Sequence, residues 1–169
     1  RFVDEGENFR NYTYAQFGRK VLEQPKQKAW QIFDSKVEKL LYDEYHFREA
    51  HFIEADNIEA LIRQMPEMDH ENAIETISTY NNACNSKVAF DPTILDGLST
   101  HGICPPKSNW AQRISSPPFR AYPVTGGITF TYGGLKVSAT GEVMRSSRES
   151  IDGLFACGEL IGGVFFNGY

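Results

Sequence analysis

The chain has 169 residues, of which 41% are apolar, 23% charged and 13% aromatic, a composition typical of folded globular proteins. Its 22 acidic residues outnumber its 17 lysines and arginines, and this net charge of −5 argues against nucleic-acid binding, which uses a concentrated basic surface. No apolar run reaches the roughly 18 residues of a membrane helix, and the 3 cysteines show no paired or zinc-binding spacing, so we expect a cytoplasmic protein with reduced thiols, no metal site and no membrane-inserted segment.

The first half of the chain carries sequence signals of helices and one strand. Pro25 ends the first helical pattern, and Asp56 with Glu59 resembles a capping box at the start of another. Asp69 is the predicted cap of the longest helix. The apolar spacing predicts helices over 11–24, 35–41, 56–65 and 69–82, and the alternating aromatic run predicts a strand over 29–33.

The second half of the chain changes character after Ser86. Up to Pro118 it is rich in proline, glycine, serine and threonine, which predicts an irregular loop. Beyond that point, strand-like runs are separated by paired glycines, and we predict strands over 119–124, 128–132, 135–137 and 153–159. Because the helices come first and the strands last, the predicted fold class is α+β.

Few residues indicate chemistry by their spacing alone. The chain has no nucleotide-phosphate loop motif, and its four histidines show no metal-binding pattern. Gly158-Glu159 ends a predicted strand, where a carboxylate at the carboxyl edge of a sheet accepts hydrogen bonds from a vicinal diol such as that of a ribose or ribityl chain. Alternatively, Glu159 is an acid favoured at the start of a helix, and both interpretations stay open.

Several short sequence motifs, or phrases, of the chain occur in an order known from one protein family. The phrase at 155–163 resembles the second flavin-contacting segment of the fumarate reductase and succinate dehydrogenase flavoprotein superfamily. The phrase at 131–137 resembles the segment before it, and the phrase at 1–5 resembles a phrase of the family's capping domain. The phrases at 107–111 and 127–134 resemble the tricarballylate dehydrogenase branch. Further matches lie at 30–34 and 79–81.

This resemblance implies the domain organisation. A helical and strand-containing substrate-capping domain is expected over 1–132, followed by returning strands of an incomplete FAD-binding domain over 133–169. The dinucleotide-binding part of the flavin domain is expected before Arg1, and its final helix after Tyr169. On this hypothesis the isolated chain is inactive and retains FAD poorly.

The resemblance also implies an activity. The expected protein is an FAD-dependent oxidoreductase acting on CH–CH bonds, which oxidises a small carboxylate by hydride transfer to flavin. Tricarballylate, oxidised to cis-aconitate, is the expected substrate, and the electrons leave to a membrane-associated partner protein. The family pattern assigns Gly158 and Glu159 to the binding of FAD.

Arg10 is the catalytic residue that the resemblance implies. The family carries a proton-handling arginine a few residues after the phrase at 1–5, and Arg10 lies one position out of that register. Arginine stays protonated, so it would anchor the substrate and relay a proton instead of acting as a resting base. The alternative is that Arg10 only pairs with Asp4, Glu5 or Glu7.

Departures from the family pattern concern the substrate. Phe130 replaces a substrate-binding histidine, and Tyr169 replaces an arginine that clamps a carboxylate. Thr129, Thr131 and Tyr169 are therefore the expected substrate hydrogen-bond donors. Arg120 is a candidate replacement cation or, alternatively, an exposed arginine on an edge strand.

Other substrates stay open within the same superfamily. Fumarate or succinate, a cobalamin precursor and a 3-ketosteroid are the alternatives, and steroid chemistry would use tyrosine acids such as Tyr122, Tyr132 or Tyr169. A non-enzymatic alternative is a folded module that is inert by itself.

Overall fold

The structure, a computed structural model, describes residues 1–84, 87–129 and 131–163. It divides into two compact units, Arg1–Gly126 and Gly127–Tyr169. A compact unit need not coincide with a domain of a longer protein, so the predicted boundary between residues 132 and 133 stays a prediction. Helices and antiparallel strands are both present, and the predicted mixed α+β class is confirmed.

The helices of the first unit follow local signals in the sequence. They are α1 (Arg10–Leu22), α2 (Ile58–Arg63) and α3 (His70–Ala83), with 3₁₀ turns at Pro25–Gln27, Ser35–Leu40 and Asp43–His46. Asp69 caps α3 as predicted, because its side chain accepts a hydrogen bond from the backbone N–H of Asn72. The predicted cap of α2 was wrong. Asn57, not Asp56, is the extended residue before the helix, and it accepts from the N–H of Ala60.

A three-stranded antiparallel sheet forms the base of the first unit. Its strands are β1 (Lys28–Asp34), β2 (Ile53–Ala55) and β3 (Phe119–Thr125), in the order β1-β3-β2. The core between sheet and helices is built around three fully buried side chains, Leu61, Ile62 and Met65. Because β3 is the central strand, the interpretation of Arg120 as an edge-strand residue was wrong.

The second unit contains a short hairpin. Its strands β4 (Glu142–Met144) and β5 (Ser150–Phe155) pair antiparallel, and a 3₁₀ turn follows at Gly158–Leu160. The strand predicted over 153–159 therefore ends earlier than expected, at Phe155. The described residues of the predicted strand over 128–132 are not in a strand, and 135–137 contributes only single bridges.

Candidate functional site

Arg10 is the first residue of α1, and its side chain is exposed. The guanidinium carbon lies 3.9 Å from the centroid of the Tyr42 ring, which is a close cation–π contact. Among the described residues Arg10 forms no ion pair, so the alternative pairing with Asp4, Glu5 or Glu7 is not found. The guanidinium is thus held by a ring face that uses none of its N–H donors.

The acidic residues that precede Arg10 hold their own segment in place. Asp4 Oδ1 accepts hydrogen bonds from the backbone N–H groups of Gly6 and Ser108, each at 2.9 Å, and Oδ2 accepts from the Ser108 hydroxyl. Glu5 pairs with Arg1 at 2.5 Å. These contacts explain why the carboxylates of Asp4 and Glu5 are not directed at the Arg10 guanidinium.

A loop about a hundred residues away clamps the segment that leads to Arg10. Asn109 donates from Nδ2 to the Gly6 carbonyl at 2.8 Å, and its Oδ1 accepts from the Gly97 N–H at 2.7 Å. A Cβ at Gly6 would lie 2.3 Å from the Asn109 carbonyl oxygen, so only glycine permits this approach. The rings of Phe9 and Trp110 are 5.4 Å apart. The phrase at 107–111 therefore packs against the phrase at 1–5, a partnership that no local sequence signal indicates.

Two half-buried cations, Arg1 at the start of the segment and Lys107 on the loop, lie where the two meet. The Arg1 guanidinium donates to the Pro105 carbonyl at 2.8 Å and lies 5.2 Å from the centroid of the Tyr80 ring. Burial lowers the pKa of the Lys107 amine, and the carboxylate of Glu5 partly offsets that effect. Arg1 therefore contributes to the clamp through hydrogen bonds to loop carbonyls and stacking on Tyr80.

Arg120, the predicted replacement cation, is engaged by two carboxylates. Its Nε donates to Glu54 at 2.6 Å and its Nη1 donates to Glu38 at 2.5 Å. The hydrogen bond to Glu54 is the main reason why the pKa of Arg120 is raised. The guanidinium also lies 5.1 Å from the centroid of the Phe52 ring. A substrate carboxylate at Arg120 would compete with both of these acids, and substrate binding by Arg120 stays a prediction.

An aromatic cluster packs beside the central strand. The ring centroids of Tyr45 and Tyr122 are 4.9 Å apart, and Phe33 and Phe52 pack against Tyr122 at 5.9 and 5.4 Å. The Tyr45 hydroxyl donates to Gln31 Oε1 at 2.7 Å, and burial raises the pKa of Tyr45. Tyr122 is buried, with its hydroxyl 3.5 Å from the Tyr45 carbonyl, so this predicted steroid-acid candidate lies in a packed cluster.

The second unit brings two of the predicted site residues together. The Thr131 backbone N–H donates to Glu159 Oε1 at 2.9 Å, so Glu159 joins two segments of the chain. Gly158 beside it has a φ of +70°, and a Cβ there would meet no atom within 4 Å. Thr129 is exposed, and Tyr169 lies outside the described residues. Thr131 and Glu159 are thus neighbours although 28 residues separate them.

A close backbone contact fixes the geometry of these two segments. The Leu135 N–H donates to the Leu160 carbonyl, and the Gly162 N–H donates to the Leu135 carbonyl, each at 2.9 Å. A Cβ at Gly134 would lie 2.5 Å from the Leu160 carbonyl oxygen. Glycine is therefore required at Gly134 for the segments to pair, which agrees with the prediction that paired glycines mark a close backbone approach.

The described part of the chain contains neither a candidate metal site nor a candidate membrane-spanning helix. In residues 1–84, 87–129 and 131–163, no group of three histidine, cysteine or acidic side chains is placed to hold a metal ion. Within the same ranges, every helix is too short or too polar to cross a membrane.

Comparison with known proteins relates the whole chain to one family. A family model described as an FAD binding domain matches residues 1–169. A probable fumarate reductase from Shewanella frigidimarina (strain NCIMB 400) is 30% identical over 151 residues, which are 85% of this chain and 22% of that protein. An NADH:acrylate oxidoreductase from Vibrio harveyi is 28% identical over 121 residues, which are 72% of this chain and 11% of that protein.

Solved structures agree with this relationship. The open conformation of a flavocytochrome c3 fumarate reductase matches with a TM-score of 0.69 and 28% identity, over 97% of this chain and 26% of that one. A 3-ketosteroid Δ1-dehydrogenase from Sterolibacterium denitrificans matches with a TM-score of 0.59 and 21% identity, over 96% of this chain and 31% of that one, and indicates a shared fold alone. The chain spans less than a third of each protein compared.

Proposed function

Because this chain belongs to the FAD binding domain family, we propose that it forms part of an FAD-dependent enzyme that oxidises a CH–CH bond of a small carboxylate. The homology to fumarate reductase flavoproteins confirms the predicted superfamily, and FAD is the cofactor of the parent protein, as the resemblance implies. One observation carries the proposal, namely that within the described residues no carboxylate pairs with the Arg10 guanidinium, which lies instead against the ring of Tyr42. Such a group is suited to receive a carboxylate substrate.

The residues of the second unit fit the cofactor. FAD, when bound, supplies the acceptor for the hydride. Glu159 is exposed, and within the described residues only one of its two carboxylate oxygens accepts a hydrogen bond, so the other is available to a ligand hydroxyl. Gly158 leaves open space beside this carboxylate. We assign these two residues to a diol-bearing part of FAD, which is the role the sequence predicts.

Arg10 has two roles in the proposal. Its planar guanidinium binds a substrate carboxylate through paired N–H donors, which orients the bond to be oxidised. Oxidation of CH–CH to C=C removes a hydride from one carbon and a proton from its neighbour, and we assign the path of that proton to Arg10. Because arginine is protonated at rest, it gives one of its own N–H protons to a further acceptor as it takes the substrate proton, so it relays the proton and is not a resting base.

Tricarballylate, giving cis-aconitate, is the substrate we propose within this class. The support is the resemblance of the phrases at 107–111 and 127–134 to the tricarballylate dehydrogenase branch. In the structure, residues of 107–111 pack against the segment that carries Arg10. We further propose a cytoplasmic protein whose electrons leave to a membrane-associated electron-transfer partner.

The proposal is tested by anaerobic bleaching of the flavin absorbance in the full-length parent protein with FAD bound, because the chain by itself is expected to retain FAD poorly. Tricarballylate, succinate and a 3-ketosteroid are compared side by side, and bleaching by tricarballylate is expected. Removal of a proton-handling group slows such reactions by about 10²–10⁴-fold, so Arg10→Ala should lose bleaching to that extent. Arg48→Ala, which removes another exposed arginine, should bleach normally.

The outcomes separate the parts of the proposal. Bleaching by succinate or the steroid instead of tricarballylate would replace the substrate and keep the enzyme class. Equal bleaching by the Arg10→Ala and Arg48→Ala variants would remove Arg10 from the mechanism.

A further inference from the structure

The contact between Arg10 and Tyr42 leaves the N–H donors of the Arg10 guanidinium available to a ligand. An exposed arginine is commonly oriented by a carboxylate, which neutralises its charge and occupies its donors. Here the guanidinium carbon lies 3.9 Å from the ring centroid of Tyr42, and no carboxylate pairs with it among the described residues. A ring face attracts the cation through its quadrupole and leaves the N–H donors at the guanidinium edge free.

Tyr42 is itself attached to a rigid part of the fold. It is the residue immediately before the 3₁₀ turn Asp43–His46, and its carbonyl accepts from the Tyr45 N–H at 3.0 Å. Tyr45 in turn packs edge-on against Tyr122 at 4.9 Å and donates its hydroxyl proton to Gln31. The turn is therefore anchored on the sheet, while the Tyr42 ring stays half exposed and available to Arg10.

We propose that Tyr42 is a positioning residue, which holds the Arg10 guanidinium ready for the substrate carboxylate without neutralising it. This inference rests on the proposed function of Arg10. It adds a residue that the sequence phrases did not indicate, since Tyr42 lies outside all of them. Tyr42 would orient the N–H donors of Arg10 before the substrate binds. Loss of the Tyr42 ring should therefore weaken substrate affinity more than it slows the chemical step.

The test uses the full-length parent protein with FAD bound and measures binding without turnover. cis-Aconitate and fumarate, which are already unsaturated, are titrated by calorimetry into the oxidised protein. Tyr42→Leu should weaken binding by about two- to fivefold, the range expected for an exposed cation–π contact, and Tyr42→Phe should bind like the unaltered protein because the ring is kept. Tyr12→Leu, which removes an even more exposed tyrosine on α1, should change nothing.

A spectroscopic measurement reports the contact directly. The ring of Tyr42 should shift the NMR signals of the Arg10 Hδ protons upfield, and this shift should vanish in Tyr42→Leu and persist in Tyr42→Phe. In steady-state kinetics with tricarballylate, Tyr42→Leu should raise KM with little change in kcat.

The results distinguish the failure of this inference from the failure of the proposed function. If Arg10→Ala abolishes binding and Tyr42→Leu binds normally, Tyr42 has no positioning role and the function of Arg10 stands. Weak binding by Tyr42→Phe would mean that the hydroxyl, not the ring face, makes the important contact, which also overturns the inference. If Arg10→Ala binds both ligands normally, the proposed role of Arg10 fails and that of Tyr42 fails with it.

Discussion

Replacing Asn109 with alanine should release the segment that carries Arg10. The side chain is buried and makes two hydrogen bonds, to the Gly6 carbonyl at 2.8 Å and from the Gly97 N–H at 2.7 Å. Its removal leaves both backbone groups without their partner, and each such loss destabilises a protein by about 1–3 kcal/mol. We therefore expect Asn109→Ala to lower the free energy of unfolding by about 3 kcal/mol, which is on the order of a hundredfold in the equilibrium constant.

Hydrogen exchange resolves where that loss occurs. The backbone N–H groups of Gly6 and Glu7 are bonded to Asp4, so their exchange rates report whether the segment stays folded. In Asn109→Ala both should exchange faster by up to the same hundredfold, because the segment loses the loop against which it packs.

The matched control is Asn81→Ala. Asn81 bonds both backbone groups of Ile114, at 2.9 and 2.8 Å, and neither bond involves the segment, so this variant should lose similar stability without faster exchange at Gly6. Equal exchange at Gly6 in the Asn109 and Asn81 variants would refute the reasoning.

Two further predictions follow from close packing and from burial. Gly134→Ala should disrupt the paired segments of the second unit, because its Cβ would lie 2.5 Å from a backbone oxygen, whereas a Cβ at Gly133 meets nothing within 4 Å. The flavin content of the purified full-length parent protein should fall in Gly134→Ala and not in Gly133→Ala, and equal contents would contradict the assignment of these segments to FAD. Burial, and secondarily the neighbouring Cys84, raises the pKa of Tyr80, so its folded form binds the proton more tightly than the unfolded form. The tighter binding of this proton stabilises the folded protein. The stabilisation is complete below pH 10.0, the ordinary pKa of tyrosine, and is lost as the pH rises further. Urea unfolding between pH 7 and pH 11 should show an alkaline loss that is smaller in Tyr80→Phe, and identical pH profiles would contradict it.

Elements with strong local signals were predicted well. The helix at α1 was expected over 11–24 and spans Arg10–Leu22, because apolar spacing and Pro25 define its face and its end. The helix at α3 begins after Asp69 as expected, because an acidic side chain caps the free N–H groups of the first turn. Such signals act between residues a few positions apart and do not depend on the rest of the fold.

Elements that depend on distant partners were predicted less well. The alternating run over 128–132 has strand-like composition, but a strand needs a neighbour to satisfy its backbone groups, and its described residues have none in the structure. The place of Arg120 on a central strand followed from the pairing of β3 with both β1 and β2, which the sequence of β3 does not encode.

The sequence by itself indicated the mixed α+β class through local periodicity, and its ordered phrases indicated the family and, by resemblance, FAD as the cofactor of the parent protein. It also singled out Arg10 and the phrase at 107–111, but as separate features. Only the tertiary structure decided that Asn109 holds the segment of Arg10 and that Tyr42, instead of an acid, holds its guanidinium. The physical reason is that hydrogen bonds and ring stacking depend on distance in space, and residues 103 positions apart acquire such proximity only when the chain folds.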